Sequence, residues 1–192
     1  IPAKGIKQII AIPNIYNSIE NCFEEIADID EHCSRLITNY SKKFPDVLKG
    51  DVPLNTNGFE SIINICAKVL GVNSSKEFED MALNTSMTSG IQIDMKLINI
   101  NDINYLDSRK IVQSIMSYKM ADVDNITLIY SFYESLSEFI CNYVNEIAKE
   151  ISAKDVILCG NMFANSILFT KTNKTLSKNY NIFLPKEYPL DY

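Results

Sequence analysis

A short apolar run that ends at a glycine most constrains how this 192-residue chain folds. Residues 156–159 form the run, and its length is typical of a strand in a sheet that is covered on both faces. Gly160 ends the run, and apolar residues then recur at helical spacing from Asn161 onwards. We therefore predict a buried strand over 155–159, a glycine turn, and a helix over 161–177.

The turn at Gly160 has two interpretations. At the start of a helix, backbone N–H groups point outwards and can hold an anion or the edge of a nucleotide. Glycine suits such a place because it tolerates positive φ and lets a ligand approach the backbone. A turn that only links two packed elements would also use a glycine, so the residues by themselves leave both interpretations open.

The longest periodic segment, residues 123–152, contains no proline or glycine and predicts a long central helix. Aromatic residues on its apolar stripe, such as Tyr130 and Tyr133, favour core packing over a ligand-binding role. A strand over 182–184 closes the pattern. The remaining predicted elements are helices over 15–29 (capped by Asn14), 34–43, 59–70, 75–83 and 105–118, a half-exposed strand over 91–96, a loop over 45–58 and a polar connection over 99–104. Together they predict a helix-rich α/β fold.

Charge and hydropathy exclude several classes of partner. The net charge is −6 and no cluster of Lys and Arg is present, so we expect no nucleic-acid partner. No apolar run is long enough for a membrane span and no secretory signal is visible, so we expect no membrane partner and a cytoplasmic location. Because the chain begins with Ile1 and not Met, we expect a processed product or an excised piece.

Cysteine and histidine usage argues against a metal or nucleophilic centre. The five cysteines are odd in number and none forms a Cys-x-x-Cys pair. All except Cys33 lie in or beside apolar segments, which predicts reduced thiols packed in the core. The single histidine, His32, lies among acidic residues and is expected at the surface. We assign no catalytic residue.

Four stretches resemble the C-terminal part of the hydrogenase maturation carbamoyltransferase family, HypF. Residues 156–168 resemble its adenosine-binding string Val-x-Leu-Ser-Gly-Gly-Val-Phe-Gln-Asn-x-x-Leu. Residues 57–71 resemble a Ser-x-Gly-Arg stretch whose helix ends in Leu-Leu-Gly. Residues 77–83 resemble a Tyr-Glu-x-x-Ala segment, and 132–136 a Phe-His-x-x-Leu helix. The tail over 184–191 is similar to the approach to the family's Pro-x-x-Asp-Gly-Gly loop.

The resemblance implies a fold and a domain organisation. The chain would be one lobe of an actin/Hsp70-like (ribonuclease H-like) fold with a long central helix and few strands. Residues 1–54 would form an N-terminal helical segment, and 55–192 the C-terminal lobe of the carbamoyltransferase. The family's N-terminal catalytic lobe is absent from this chain, so a complete active site needs a longer polypeptide.

The resemblance also implies a site. In the whole protein this lobe would form one wall of a cleft for ATP or a carbamoyl-adenylate, in the service of hydrogenase maturation. Gly160 and Asn161 would contact the adenosine, and Asn165 would brace the turn or the ribose. Gly58 would allow a backbone approach from the facing side, and Asp191 would join a divalent metal. The implied partners are the nucleotide and a maturation partner protein.

Departures from the family pattern support a rival interpretation. The family's second glycine is Asn161 here, its arginine is Phe59, and its helix histidine is Tyr133. Asp191 is followed by Tyr192 and not by glycines. In a non-catalytic protein-binding module of the same fold, Asn161, Phe59 and Tyr133 would fill the former cleft. A kinase of the same fold is a third interpretation.

Overall fold

The computed structural model describes residues 10, 18–49 and 58–185. The chain divides into two compact units, the first formed by residues 1–71 with 94–117 and the second by 72–93 with 118–192. The predictions for Asn14, for residues 50–57 of the loop over 45–58 and for the tail beyond residue 185 lie outside the described residues. The start of that predicted loop, Pro45–Leu48, forms a single 3-10 turn. In the described part of the chain, no helix has the length and apolarity needed to cross a bilayer.

Three helices of the first unit begin and end where capping chemistry favours it: α1 (Ile19–Ala27), α2 (Glu31–Lys43) and α3 (Phe59–Leu70). Ser18 Oγ accepts the N–H of Asn21 at 3.1 Å and so caps α1. The carboxylate of Asp30 accepts the N–H of Cys33 at 2.8 Å, so α2 begins three residues before the predicted start. Gly71 ends α3 with φ of +71°, and the prediction for this helix is confirmed.

A β-hairpin in the first unit differs from the sequence prediction. Strands β1 (Leu97–Ile100) and β2 (Ile103–Leu106) pair antiparallel, and the predicted strand over 91–96 is wrong because the pairing begins only at Leu97. The predicted polar connection over 99–104 is in fact the hairpin's turn region, with Asn101 and Asp102 at φ of 51° and 63°. Helix α5 (Ser108–Met120) therefore starts later than the predicted residue 105, which belongs to β2.

The second unit is built around α6 (Asn125–Ile151), a helix of 27 residues that confirms the predicted long helix. Helix α4 (Ser75–Leu83) packs against it through Phe78, whose ring lies 5.6 Å from that of Phe132 and 6.1 Å from that of Tyr133. All three rings are buried. The predicted packing role of the aromatic stripe is confirmed at these positions.

Residues 90–93, here called the strap, run along α6, and no strand among the described residues pairs with them. Side chains of α6 accept the strap's backbone N–H groups: Glu134 accepts from Gly90, Ser131 from Ile91 at 2.9 Å, and Ser135 from Ile93 at 2.9 Å. The acceptors of these N–H groups are helix side chains and not a neighbouring strand, so the alternating pattern of this stretch predicted a strand where none forms.

A short parallel sheet completes the second unit. Strands β3 (Asp155–Ile157) and β4 (Asn181–Phe183) pair in parallel, joined through α7 (Ser166–Leu176). The predicted burial of β3 on both faces is wrong, because Ile157 is 67% exposed. With a long helix and few strands, the described elements confirm a helix-rich α/β fold.

Tertiary packing, and not the local sequence composition, decides which cysteines are buried. Cys22, Cys33, Cys66 and Cys141 are buried and Cys159 is exposed. The predicted core packing is therefore wrong for Cys159, and Cys33 joins the core although its local sequence is polar. Burial raises the pKa of the Cys33 and Cys66 thiols, so these groups stay protonated at neutral pH. His32 is exposed, as predicted.

Candidate functional site

The turn after β3 is shaped by the backbone of Gly160. Its φ of 108° and ψ of 154° lie in a region that only glycine adopts readily. A Cβ placed at this residue would meet no other atom within 4 Å. The glycine is therefore required by the backbone conformation and not by crowding, and the turn is open on that side.

The chain does not enter a regular helix directly after the glycine. Asn161–Ala164 form a single 3-10 turn, held by a hydrogen bond from the N–H of Phe163 to the carbonyl of Gly160 at 3.0 Å. Helix α7 begins only at Ser166. The predicted helix over 161–177 is thus wrong in its first turn, because the side chain of Asn165 caps α7 and stops it from extending further back.

Asn165 is held by three hydrogen bonds. Its Oδ1 accepts the N–H groups of Ile167 and Leu168, each at 3.1 Å, and its Nδ2 donates to Glu79 on α4 at 3.2 Å. The side chain is 1% exposed. Asn165 therefore links the start of α7 to α4 and is also the residue at which the 3-10 turn ends.

Two backbone N–H groups at the start of the 3-10 turn are available to a ligand. The backbone N–H groups of Asn161 and Met162 meet no acceptor among the described residues. Asn161 is exposed and Met162 is half-buried. An anionic or polar ligand could therefore accept these N–H groups without displacing an internal hydrogen bond.

Gly58 lies in the first unit, at the start of α3. Its φ of 76° and ψ of −143° again favour glycine, and no atom lies within 4 Å of a Cβ placed there. Its carbonyl accepts the Ser61 hydroxyl at 2.8 Å. Phe59, the first residue of α3, is half-buried.

The remaining predicted positions differ in their surroundings. Asp191 lies outside the described residues, and within those residues no group of His, Cys, Asp or Glu is arranged to hold a metal ion. Tyr133 is 1% exposed and packs between Phe78 and Phe132. The rival interpretation had Tyr133 filling a cleft, whereas the side chain belongs to the core of the second unit.

A half-buried ion pair that the sequence analysis did not identify lies between α6 and α7. The Lys171 ammonium donates to the Glu134 carboxylate and, at 3.0 Å, to the carbonyl of Thr88. It also lies 5.3 Å from the centre of the Tyr130 ring. Burial would lower the pKa of Lys171, but hydrogen bonds to Glu134 and Tyr130 outweigh it and raise that pKa. In the sequence, the only signal is that Tyr130 and Glu134 lie four residues apart on one predicted helix, which places them on the same side of it.

Comparison with known proteins matches most of the chain to one family. The family model of the carbamoyltransferase Kae1-like domain, second subdomain, matches residues 55–191. Protein HydE of Wolinella succinogenes is 24% identical, over 88% of this chain and 33% of its own length.

Two solved structures share the fold. A crystal structure of full-length HypF in its phosphate- and nucleotide-bound form has a TM-score of 0.71 at 16% identity, over 97% of this chain and 27% of that one. HypF of T. kodakarensis has a TM-score of 0.59 at 14% identity, over 88% of this chain and 24% of that one. The chain thus spans about a third of the curated relative and about a quarter of each structure.

Proposed function

Because the chain belongs to the carbamoyltransferase Kae1-like domain family, as its second subdomain, we propose that it forms one wall of a nucleotide site in a HypF-like carbamoyltransferase. The reaction would belong to hydrogenase maturation in the cytoplasm, with ATP or a carbamoyl-adenylate as the bound nucleotide. The names of the matched HydE and HypF proteins support this context. The larger fold would be that of the actin and Hsp70 group.

The observation that carries the proposal is the open turn at Gly160. It combines a glycine-only backbone, free space where a side chain would stand, and two N–H groups without an acceptor among the described residues. These features suit a nucleotide that approaches the backbone of Gly160 and Asn161. A bound ATP would supply the adenylyl group of the carbamoyl-adenylate, and the chain would bind and orient the nucleotide.

The other proposed residues have distinct tasks. Asn165 would brace the turn and not touch the ribose, because its oxygen and its amide already serve α7 and Glu79. Gly58 would allow a nucleotide to approach its own backbone. Asp191 would contribute a carboxylate to a divalent metal, since hard cations prefer oxygen ligands. A maturation partner protein would receive the carbamoyl group.

We test the site in the full-length native polypeptide with Gly160→Val. A Cβ-branched side chain would block the approach to the backbone, and we expect ATP binding to be lost while the fold persists. Gly71→Val is the matched control, because Gly71 also has positive φ and open surroundings. Isothermal titration with ATP measures both variants, and circular dichroism checks their folding. Unchanged ATP affinity in Gly160→Val would refute the site.

The reaction needs a separate measurement. Carbamoyl-phosphate-dependent exchange between ATP and pyrophosphate reports formation of a carbamoyl-adenylate by the full-length polypeptide with metal supplied. We expect exchange in the wild type. If the folded protein shows no exchange with metal supplied, the chain is better described as a non-catalytic protein-binding module of the same fold.

A further inference from the structure

Two neighbouring residues of α7, Lys171 and Thr172, make polar contacts to α6. The Lys171 ammonium donates to the carboxylate of Glu134. The Thr172 hydroxyl donates to Oγ of Ser137 at 3.0 Å, and both of these side chains are buried. Hydrogen bonds therefore join α7 to the long helix at one short stretch near the middle of α7.

These polar contacts define the position of α7 along α6 more sharply than apolar contacts do. Leu168 and Leu176 of α7 are fully buried, but the burial of apolar surface is non-directional. A hydrogen bond, by contrast, weakens steeply when its geometry departs from the optimum. In other helix pairs, buried polar groups fix the register between the helices. A slip by one residue would displace α7 by about 1.5 Å along its axis.

The same ion pair also holds the start of the strap. The carboxylate of Glu134 accepts the N–H of Gly90, and the ammonium of Lys171 donates to the carbonyl of Thr88 at 3.0 Å. One pair of side chains thus joins α6, α7 and the chain that leads into the strap.

The donors of Lys171 are already in use. An ammonium group has three N–H donors. Glu134 and Thr88 accept two hydrogen bonds, and Tyr130, whose ring centre is 5.3 Å away, is the third partner. With these three partners, Lys171 fits a role in holding the chain and not in binding the phosphates of a nucleotide.

Helix α7 begins at the candidate nucleotide turn. The 3-10 turn that starts at Asn161 ends at Asn165, and Asn165 caps α7. Lys171 lies further along the same helix, about 9 Å from the cap. Because no glycine or proline interrupts residues 166–176, a displacement of the helix at Lys171 would also displace its cap.

We propose that Lys171 is a positioning residue for the nucleotide: it fixes α7 along α6 and thereby sets where the backbone of Gly160 and Asn161 stands. This role rests on the proposed function, because it concerns the same turn. Since a misplacement of about 1 Å can lower the rate of an enzyme about 100-fold, even a small slip of α7 would be costly.

Hydrogen exchange tests the positioning without any nucleotide. Lys171→Met removes the donors in the full-length polypeptide, and Lys174→Met is the matched control at an exposed lysine of the same helix. We expect residues 163–170 to exchange at least about fivefold faster in Lys171→Met, because they include the amides that Asn165 caps. A merely local role would speed exchange only in residues 86–93. Wild-type exchange over 163–170 in Lys171→Met would overturn the positioning role.

ATP binding then separates the positioning role from the nucleotide site itself. Isothermal titration should show an affinity about three- to thirtyfold weaker in Lys171→Met. Ile115→Val, a substitution in the core of the first unit, controls for a general loss of stability and should bind like the wild type. If Gly160→Val abolishes binding but Lys171→Met binds like Lys174→Met, the positioning role is wrong and the nucleotide site stands. If the wild type binds no ATP while the exchange result holds, the proposed function is wrong and Lys171 still positions the turn.

A second variant serves if Lys171→Met does not fold, as judged by circular dichroism. Thr172→Val replaces a hydroxyl by a methyl group of similar size, so it removes the hydrogen bond to Ser137 without opening a cavity. We expect faster exchange over 163–170 and weaker ATP binding, each to a smaller extent than for Lys171. Unchanged exchange in Thr172→Val would then overturn the positioning role.

Discussion

At the scale of single residues, the hydrogen bonds of Asn165 indicate which role this motif position has. The sequence resemblance places it in a nucleotide-binding string, which is compatible with contact to the ligand or with support of the turn. Its three hydrogen bonds, to two backbone N–H groups of α7 and to Glu79, favour support. A buried amide with all these partners is costly to replace, because any lost partner is left unsatisfied.

Asn165→Ala should lower the free energy of unfolding by about 1–2 kcal/mol, since it removes a helix cap. Asn165→Asp keeps the capping oxygen but places a carboxylate against Glu79, so it should also destabilise. Adding Glu79→Gln to Asn165→Asp should restore most of the loss. Urea unfolding measures all three variants. An unchanged urea midpoint in Asn165→Ala would rule out the capping role.

Gly90 in the strap leads to a second prediction at this scale. A Cβ at Gly90 would lie 2.3 Å from Ser131 Oγ and 2.9 Å from Ser131 Cα. Because the second atom is backbone of α6, Gly90→Ala should destabilise by about 1–3 kcal/mol. Ser131→Ala removes the closer contact but also the acceptor of the Ile91 N–H, so it should destabilise by itself, and the double variant should lose less stability than the two single variants added together. Thermal unfolding of the two single variants and the double variant tests this, and full tolerance of Gly90→Ala would contradict it.

At the scale of elements, the β1–β2 hairpin shows where sequence periodicity is insufficient. The alternation of residues 91–96 predicts a half-exposed strand, but it does not say whether the hydrogen-bond partner is a strand or a helix side chain. The strap takes Ser131 and Ser135 of α6 as partners, and the sheet pairing starts only at Leu97. Strand β2 was not predicted, because the polar residues around the hairpin turn favoured a loop over 99–104.

The hairpin turn can be improved by one substitution. Asp102 has φ of 63°, a conformation that glycine adopts without strain and for which Asn-Gly is the favoured pair. Asp102→Gly should therefore stabilise the protein by about 0.5–1 kcal/mol. Asp102→Val is the opposite control, because a β-branched residue is strained at positive φ. The melting temperature should rise in the first variant and fall in the second. A lower melting temperature in Asp102→Gly would contradict the turn assignment.

At the scale of the whole molecule, the protein should lose stability at alkaline pH. Tyr40 is fully buried and its hydroxyl donates to the carbonyl of Val69 at 2.6 Å; burial raises its pKa well above the usual value. The pKa of Lys171 is raised as well. For both groups the folded pKa exceeds the unfolded one. Their contribution is therefore present at neutral pH and is lost as pH rises above about 10.

We expect Tyr40→Phe to flatten the alkaline loss of stability. A phenol that must stay neutral in the folded state lowers the free energy of unfolding by up to about 1.4 kcal/mol for each pH unit above its unfolded pKa. The variant lacks this effect but loses a hydrogen bond, at about 0.5–1.5 kcal/mol at neutral pH. Tyr105→Phe, at a half-buried tyrosine of β2, is the control. Urea unfolding between pH 8 and about 11 measures the slopes. Parallel slopes for wild type and Tyr40→Phe would refute the role of Tyr40.

Much of this architecture follows from local sequence. Helices α3, α4 and α6 lie where apolar periodicity and glycine or serine signals place them, and Gly160 and Gly71 stand where the backbone needs positive φ. The family resemblance of the glycine string agrees with the family model over residues 55–191. These features depend on contacts between residues close in the chain, which is why the sequence by itself determined them.

The tertiary structure decided what depends on distant partners. Whether Cys33 is buried and Cys159 exposed, whether residues 90–93 pair with a strand or with α6, and whether Asn165 meets Glu79 are settled by contacts across many residues of chain. The tertiary structure also decided that Ile157 of β3 and Phe183 of β4 are exposed. The same apolar sequence pattern fits a strand covered on both faces and a strand covered on one. Local periodicity records which side chains avoid water, and only the packed chain shows what they meet instead.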